Sequence, residues 1–363
     1  MTLRRIISLV LIFSCLFAIT ACDTKKPVIK SEYYEKTFFA MDTLITVRLA
    51  RATDTELADE DGYLTDEYLA SVADGCEKIC TDIEATFSRT LADSTTARLN
   101  TEADIMLDVG DEFISLLTTS LDLAEMTGGA FDPTIGTLSV LWNVTGGGPK
   151  PSDDGIAEAL SHVGYGKLVI DGNTIRKSDA LTMVDFGGIA KGYAAQKMLE
   201  YLSKSASMYG LVSVGGNIGV FGDKPDGGNF KVGIASPDDT SAVIGYVFLG
   251  GGFVSVSGDY ERYFIEDGVR YHHIFDSATG APAKTDIRSA AVIASSGAVA
   301  DALSTALFVM GYDKAMEFYE AKTASFEAVF VLSDGRIMTT PGLADGGFIT
   351  AGTQADKPAS RSK

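Results

Sequence analysis

The chain has 363 residues and a formal net charge of −19 at pH 7, because 49 acidic residues outnumber 30 basic ones. Such an acidic surface makes nucleic acid an unsuitable partner and predicts no direct adhesion to anionic lipid. Only three histidines and four cysteines are present, and they form no zinc-binding cluster.

The first 21 residues have the pattern of a secretory signal peptide. Arg4 and Arg5 precede an apolar run over residues 6–19 that is too short for a membrane-spanning helix. The run ends in Ile19-Thr20-Ala21-Cys22, which resembles a bacterial lipobox and predicts lipidation of Cys22; an ordinary signal with a chance cysteine is the alternative. Acyl chains would anchor the protein at the cell membrane, facing the periplasm or the cell exterior.

Three further regions are predicted after the signal peptide. Residues 22–36 lack apolar periodicity and are predicted to form a flexible tether. Residues 37–350 are long enough for one large domain or two closely joined lobes. Residues 351–363 are predicted to be a disordered tail.

The first half of the domain starts with residues 38–49, which alternate like one strand. The acidic residues 54–66 predict a solvated loop. Helical spacing follows over 67–87 and over 109–126, and the second helix is expected to stop at Gly128-Gly129. One apolar face of the first helix consists of Leu69, Val72, Cys76, Ile79, Cys80, Ile83 and Phe87.

Cys76 and Cys80 are predicted to be buried free thiols. Residues four apart on a helix face the core together, and a disulfide between them within one helix is geometrically awkward.

The later chain has short β-rich runs separated by Gly and Asp. Helices are predicted to begin near Ala190, Ala298 and Asp313. Because the strands are grouped and do not alternate regularly with helices, the pattern favours an α+β fold over a doubly wound sheet. The predicted strands cover residues 167–170, 211–214, 230–234, 243–248, 263–265 and 290–294.

A first candidate site is Asp185-Phe186-Gly187-Gly188-Ile189-Ala190-Lys191-Gly192, at the mouth of a predicted helix. Glycines let a backbone approach phosphate closely, free N–H groups at a helix start attract negative charge, and Lys191 adds a positive charge. The alternative is a tight connection without a ligand.

A second candidate is the pair Asp301 and Thr305, which lie on one face of a helix at positions i and i+4. Two oxygens arranged in this way suit Mg²⁺, which takes few protein ligands and completes its octahedron with phosphate and water. Alternatively, Asp301 caps its helix and Thr305 bonds back to the preceding turn, and spacing alone favours this alternative.

A third candidate site follows the end of the predicted helix over 109–126 and includes Phe131 and Asp132. Asp132 precedes a proline, which favours an extended or turn conformation and could aim its carboxylate into a cleft. Phe131 and Trp142 could instead be core residues.

His272 and His273 are adjacent. If they lie on a strand, their side chains point to opposite faces, so that only one of them reaches a cleft. The sequence has no nucleophile elbow, no Walker loop and no dinucleotide fingerprint.

Taken in order, these blocks resemble the FAD:protein FMN transferases of the ApbE family, which are bacterial flavin-transferring lipoproteins. Asp42 departs from the family pattern, which usually has glycine there. The matching blocks are Ala40-Met41-Asp42-Thr43, Phe87-Ser88-Arg89, Leu99-Asn100, residues 129–133, residues 185–192, Gly215-Gly216-Asn217, residues 257–260, residues 273–276 with Thr279-Gly280, and Ala300-Asp301 with Thr305.

The resemblance implies an FAD cleft within an ApbE-like α+β domain, a Mg²⁺ ion and protein flavinylation. It implies that Mg²⁺ is held by Asp301 and Thr305 with the backbone carbonyls of Gly188 and Ala298. Client flavoproteins of membrane redox complexes are the implied partners. The implied FAD-site residues are Met41, Ala130, Phe131, Asp132, Asp185, Lys191 and Ile274.

His273 is the expected base, because a client hydroxyl is a poor nucleophile until its proton is accepted. AMP would leave and FMN would remain on the client as a phosphoester. Two alternatives stay open: hydrolysis of FAD to FMN and AMP by water, and a non-catalytic FAD-binding or solute-binding lipoprotein.

Overall fold

The computed structural model describes residues 32–102 and 107–352. The predicted signal peptide, the predicted lipidation site Cys22, most of the predicted tether and the end of the predicted C-terminal tail lie outside the described residues. Strand β1 begins at Tyr33, so residues 33–36 of the predicted tether belong to a strand. Within the described ranges, no helix combines the length and apolar character needed to cross a membrane.

Eight α-helices occur in the described residues. The predicted helices over 67–87 and 109–126 are confirmed as α1 and α3, and the predicted starts near residues 190, 298 and 313 are confirmed for α6, α7 and α8. The helices are α1 Asp66–Phe87, α2 Thr95–Thr101, α3 Asp111–Met126, α4 Gly136–Trp142, α5 Asp153–Ser161, α6 Ala190–Leu202, α7 Gly297–Met310 and α8 Tyr312–Glu320.

The strands are short, and each predicted β-rich run of the later chain corresponds to one of them. In chain order they are β1 Tyr33–Ala40, β2 Thr43–Ala50, β3 Leu107–Asp108, β4 Leu168–Asp171, β5 Thr174–Lys177, β6 Tyr209–Val214, β7 Asn217–Gly222, β8 Phe230–Ala235, β9 Val243–Leu249, β10 Gly252–Gly258, β11 Tyr263–Glu266, β12 Val269–His272, β13 Phe275–Asp276, β14 Ala281–Pro282, β15 Ile287–Ala294, β16 Glu327–Leu332, β17 Ile337–Thr339 and β18 Phe348–Thr350.

The main sheet has eight strands in the order β1-β2-β6-β7-β10-β15-β16-β17, and every neighbouring pair is antiparallel. Smaller sheets are β18-β9-β8 and β3-β5-β4, and two hairpins are formed by β11-β12 and β13-β14. From Glu32 onward the chain forms one compact unit. The α+β prediction is therefore confirmed, and the two predicted lobes are not separate units.

Both faces of the main sheet are covered. Ala290 and Val292 of β15 pack in the large core with α1, α6 and α7, whereas the intervening Ala291 packs in a second core with β8 and β9. Successive residues of a strand point to opposite faces, so a strand buried on both faces has an almost continuous apolar sequence. This explains the run of small and apolar residues over 289–294 of β15.

The prediction of one strand over residues 38–49 is wrong. This segment is the β1-β2 hairpin, in which Phe39 pairs with Leu44 and the turn consists of Met41 and Asp42. Both turn residues have positive φ, 53° and 55°, as a two-residue hairpin turn of type I′ requires. Because neither residue is glycine or asparagine, the sequence carried no ordinary turn signal.

Cys76 and Cys80 are free and buried, as predicted. Burial raises the pKa of each thiol to about 12, so both stay protonated near neutral pH. Their predicted structural role in the α1 core face is consistent with this environment.

Helices α6 and α7 meet at two glycines near their N-termini. A Cβ atom at Gly192 would lie 2.1 Å from the carbonyl oxygen of Gly297, and a Cβ atom at Gly297 would lie 2.2 Å from the carbonyl oxygen of Gly192. Only glycine permits this approach. The contact brings the second turn of α7 next to the first turn of α6.

We predict that Gly192→Ala lowers the free energy of unfolding by ~1–3 kcal/mol, because the new methyl group overpacks a backbone contact that has no space for it. Gly166→Ala is the matched control, since a Cβ atom at Gly166 has no heavy atom within 4 Å. Urea unfolding followed by circular dichroism measures both variants. Equal stability of the two would contradict the helix contact described above.

Candidate active site

A cavity of about 620 Å³ opens at one end of the main sheet. Its walls include the β1-β2 turn, the β6-β7 turn at Gly215-Gly216, the end of β10 and the first turns of α6 and α7. The volume is within the range of small-molecule sites. Eleven of the predicted site residues line it: Met41, Ala130, Phe131, Asp132, Asp185, Gly188, Lys191, His273, Ile274, Asp301 and Thr305.

Ala298 is the predicted site residue within the described region that does not line the cavity. It is buried in the first turn of α7, with 4 % of its surface exposed. Its carbonyl therefore stays a predicted ligand without support from the cavity walls.

The loop before α6 is held in shape by Asp185. One carboxylate oxygen, Oδ1, accepts a hydrogen bond from the backbone N–H of Gly187 at 2.8 Å, and Oδ2 accepts one from Nε of Arg89 at 3.0 Å. Lys191 donates from Nζ to the carbonyl of Gly187 at 3.0 Å. The loop thus fixes a cation and a helix start at the cavity wall.

Asp301 does not cap its own helix. Ser296 is the N-cap of α7 and accepts from the N–H of Val299, whereas Asp301 lies in the second turn. Its Oδ2 instead accepts from the N–H of Gly192 at 2.8 Å, near the start of α6, which has no side-chain cap of its own. The alternative role weighed for Asp301 from spacing is therefore wrong, because another helix uses its carboxylate.

Two of the residues predicted to hold a metal, Gly188 and Thr305, are neighbours in the cavity wall. The Oγ1 of Thr305 lies 3.3 Å from the position that a Cβ atom at Gly188 would occupy, and it is 3.2 Å from the Oγ of Ser257. Asp301 is 2 % exposed, and the recorded side-chain hydrogen bond of its carboxylate in the described region involves only Oδ2. This leaves Oδ1 available for a ligand.

The donor chemistry fits Mg²⁺. Within residues 32–102 and 107–352, no group of three or more His, Cys, Asp or Glu side chains could hold a metal ion. One carboxylate, one hydroxyl and one backbone carbonyl form an oxygen-only set that suits a hard cation whose remaining ligands are phosphate and water.

The two neighbouring histidines have different environments, although only His272 lies on a strand, at the end of β12. His272 is buried, its Nδ1 accepts from the N–H of Ile274, and its Nε2 lies 3.1 Å from the carbonyl oxygen of Ala283. Its ring packs edge-on against Phe308. Because both ring nitrogens are bonded within the protein, His272 has a structural role.

His273 lines the cavity. Its Nδ1 lies 3.2 Å from the carbonyl oxygen of Arg262. A carbonyl oxygen only accepts, so Nδ1 carries the proton and Nε2 holds the lone pair of the neutral ring. Burial in the cavity wall, together with the positive charge of Lys191, lowers the pKa of His273 to about 4. The imidazole is therefore neutral at pH 7.

Asp132 contacts protein groups through both carboxylate oxygens. Its Oδ1 accepts from the N–H and the hydroxyl of Thr134, and its Oδ2 accepts from the N–H of Tyr165. Burial raises the pKa of Asp132, while these hydrogen bonds oppose the rise. The carboxylate thus orders the cavity wall, and its predicted contact with FAD stays a prediction.

The alternative that Phe131 and Trp142 are core residues has a different outcome for each of them. Trp142 is a core residue with 1 % exposure, and its Nε1 donates to the carbonyl of Gly280 at 2.8 Å. Phe131 is buried as well, but its ring also forms part of the cavity wall beside Gly188.

Glu261 lines the cavity, although the sequence analysis assigned it no role. Burial raises the pKa of this carboxyl group; nearby Asp301 raises it further, and Lys191 and Arg262 oppose the rise. The available signal was that Glu261 directly follows the matching block at residues 257–260. Side-chain orientation beyond that block could not be read from the sequence.

Comparisons with known proteins agree on one family. A family model described as the ApbE family matches residues 41–330. A protein of Treponema pallidum (strain Nichols) named FAD:protein FMN transferase is 35% identical over 280 residues, which cover 72% of this chain and 77% of the relative. A protein of the same name from Haemophilus influenzae is 32% identical over 304 residues, covering 79% and 83%.

Solved structures give the same result. The ApbE protein of Thermotoga maritima has a TM-score of 0.77 and 33% identity, covering 86% of this chain and 98% of its own. The apo flavinyl transferase ApbE of Pseudomonas stutzeri has a TM-score of 0.72 and 30% identity, covering 85% and 94%. The resemblance predicted from the ordered sequence blocks is confirmed.

The structure explains the family glycine that Asp42 replaces. Asp42 has φ of 55°, in the left-handed region that glycine adopts without strain and aspartate tolerates better than most residues. We predict the stability order Gly at position 42, then Asp, then Ala, with Asp42→Gly gaining ~0.5–1 kcal/mol and Asp42→Ala losing stability. Thermal unfolding of the three proteins tests the order, and an Ala variant as stable as the Gly variant would contradict it.

Proposed function

The chain belongs to the ApbE family, and we propose on this basis that it transfers the FMN part of FAD to a threonine or serine hydroxyl of a client protein. AMP is the second product, and the reaction depends on Mg²⁺. The shared name of the relatives supports the flavin-transfer part of this proposal. The Mg²⁺ requirement is supported by the oxygen donors of the cavity, and the acceptor residue type is carried over from the resemblance to the family.

One observation carries the proposal: a single cavity contains a neutral imidazole, a carboxylate–hydroxyl pair and a cationic helix start. His273 supplies the imidazole, Asp301 with Thr305 the oxygen pair, and Lys191 the positive charge. These are the groups that displacement at a pyrophosphate needs, because negative charge must be offset and a hydroxyl proton must be accepted.

The residues of the cavity have separable roles. Lys191, in the first turn of α6, attracts the pyrophosphate, and the glycines before α6 let it approach the backbone. Asp301, Thr305 and the carbonyl of Gly188, with that of Ala298 as a further proposed ligand, would hold Mg²⁺. The bound ion supplies charge neutralisation at the phosphates and at the leaving group.

His273 acts as the base. The client hydroxyl oxygen forms a bond to the phosphorus of the FMN half, and its proton moves to Nε2 of His273. The bond between that phosphorus and the bridging oxygen breaks, and this oxygen leaves with its electron pair as part of AMP. The hydrogen bond of Nδ1 to the carbonyl of Arg262 keeps the imidazole in the tautomer that can accept the proton.

In this proposal, lipidation of Cys22 anchors the protein to the membrane, and the active site therefore faces the compartment outside the cytoplasm. This segment lies outside the described residues, and the proposal rests on the lipobox pattern. A membrane-anchored transferase would act on client flavoproteins of membrane redox complexes, which carry their acceptor residue in the same compartment. Labelling cells with a palmitate analogue, with Cys22→Ser as the control, tests the anchor.

The function is tested by incubating the full-length protein in detergent with FAD, Mg²⁺ and membrane proteins of the source cells. Mass spectrometry should find FMN attached to a threonine or serine of a client, together with stoichiometric AMP. Release of AMP and FMN without covalent flavin would assign FAD hydrolysis instead. FAD that stays bound without turnover would assign a non-catalytic binding protein.

We predict that His273→Ala lowers the rate of FMN transfer by ~10²–10⁴-fold. Among the described residues that line the cavity, His273 is the neutral base with a free lone pair. FAD affinity, measured by flavin fluorescence, should change little. His162→Ala serves as the control, because His162 pairs with Asp179 and does not line the cavity. Transfer at the wild-type rate by His273→Ala would remove the assignment of the base.

We predict that Asp301→Asn raises the Mg²⁺ concentration needed for half-maximal transfer by at least ~tenfold, because the charge of the ligand is lost. The amide oxygen can still accept from the N–H of Gly192, so the helix contact is kept. Ser304→Ala, one helix position away from Thr305, is the control. Calorimetric titration with Mg²⁺ in the presence of FAD gives a readout independent of turnover, and an unchanged titration would move the metal site elsewhere.

The pH dependence follows from the lowered pKa of His273. Because kcat/KM reports groups of the free enzyme, its acid limb should be centred near pH 4 and the profile should be flat from pH 6 to 8. Activity falls as pH drops through this pKa, since protonation removes the lone pair. Glu261→Gln should leave the limb in place; a limb centred at 6.5 would contradict the environment of the imidazole.

A further inference from the structure

One face of the β1-β2 hairpin is exposed and has an ordered set of cross-strand pairs. Glu35 and Arg48 form an ion pair. The hydroxyls of Thr37 and Thr46 are 3.1 Å apart in the next pair. Polar pairs of this kind are expected where a hairpin face meets water.

The last pair on this face breaks the pattern. Phe39 and Leu44 are directly opposite each other, and their side chains are 69 % and 64 % exposed. They are the two most exposed large apolar residues in the described chain. The exposure does not come from a shifted register, because Phe38, Ala40 and Ile45, which flank the pair along the two strands, are buried on the other face.

The pair lies at the entrance of the active-site cavity. Phe39 and Leu44 are each two residues from the turn residue nearest to them on their own strand, Met41 and Asp42, and both of these line the cavity. Two trans peptide steps span at most ~7 Å between Cα atoms. The turn is fixed to the opposite wall by a hydrogen bond of 3.3 Å from Nη2 of Arg262 to the carbonyl of Asp42.

Neither Phe39 nor Leu44 lines the cavity itself, so FAD does not account for their exposure. Three further exposed apolar residues directly follow lining residues on other segments: Leu91 follows Thr90, Val140 follows Ser139, and Tyr263 follows Arg262. Apolar side chains therefore border the cavity on four chain segments. Exposed apolar groups gathered at a functional opening are typical of protein contact surfaces.

We propose that the Phe39–Leu44 pair is the docking surface for the acceptor segment of the client protein. The inference rests on the proposed function, in which the acceptor hydroxyl is part of a protein. That hydroxyl must enter the cavity while it remains attached to its chain, so the client covers the surface beside the entrance during every turnover. The occupant is an extended segment with an apolar side chain within a few residues of the acceptor hydroxyl.

The assignment separates client binding from the chemistry. FAD, the base and the proposed metal ligands all belong to the cavity, whereas Phe39 and Leu44 contact only the second substrate. Loss of the apolar pair should therefore raise KM for the client and leave FAD hydrolysis by water unchanged. Truncation of a central aromatic contact in an interface commonly changes affinity by ~tenfold or more.

The experiment uses the full-length protein in detergent, with the client identified by attached FMN. Phe39→Ser/Leu44→Ser should raise KM for the client by ~tenfold or more with kcat, FAD affinity and water-dependent AMP release unchanged. The single variant Phe39→Leu should keep most of the wild-type affinity for the client, because the surface stays apolar. Leu57→Ser is the matched control, since Leu57 is 55 % exposed but follows the far end of β2, roughly 23 Å along the strand from the turn.

The outcomes separate the inference from the function on which it rests. If the wild-type protein attaches no flavin to any client, the proposed function fails. If it does, and the double variant keeps the wild-type KM, the docking surface is wrong. Equal losses in client transfer and in water-dependent AMP release would assign the pair to the shape of the FAD site and overturn the inference. A changed oligomeric state or vesicle binding with an unchanged KM would assign it to self-association or to lipid.

Discussion

Helices α6 and α7 approach each other through Gly192 and Gly297, and at this contact the carboxylate of Asp301 accepts a hydrogen bond from the N–H of Gly192. The bond satisfies an amide that the start of α6 would otherwise expose, since no side chain caps that helix. It also holds the almost fully buried carboxylate of Asp301 beside the first turn of α6, which carries Lys191. The proposed metal site and the proposed phosphate site at the helix start thus depend on one close helix contact.

Another part of the cavity wall contains the neutral imidazole of His273. His273 is kept neutral by burial and by the positive charge of Lys191, and its Nδ1 is fixed by the carbonyl of Arg262. The same Arg262 donates to the carbonyl of Asp42 and so connects this wall to the β1-β2 turn. Asp301 and Lys191, proposed to bind the metal ion and the phosphates, and His273, the proposed base, therefore belong to different elements. These elements meet at the cavity. Client docking on the same hairpin would bring the acceptor hydroxyl to this place.

The sequence predicted five of the eight α-helices and six of the eighteen strands in the described residues, because their periodicity is local. The apolar stripe of α1 and the short β-rich runs needed no tertiary information, and eleven site residues could be carried over because they belong to ordered blocks. The turn at Met41 and Asp42 was missed because its two residues have the positive φ of a type I′ turn, although neither is glycine or asparagine. The capping of α6 by Asp301 and the position of Glu261 depend on contacts between distant segments, which no local pattern records.

The central claim is that one cavity holds the pyrophosphate between Asp301 and His273. A crystal structure of the protein with FAD and Mn²⁺, with the metal located by its anomalous signal, tests this most directly. We predict the metal within coordination distance of the carboxylate of Asp301 and the hydroxyl of Thr305, and the pyrophosphate on the side of the cavity that Nε2 of His273 faces. A metal bound elsewhere, or a pyrophosphate separated from the imidazole by other protein groups, would contradict the account.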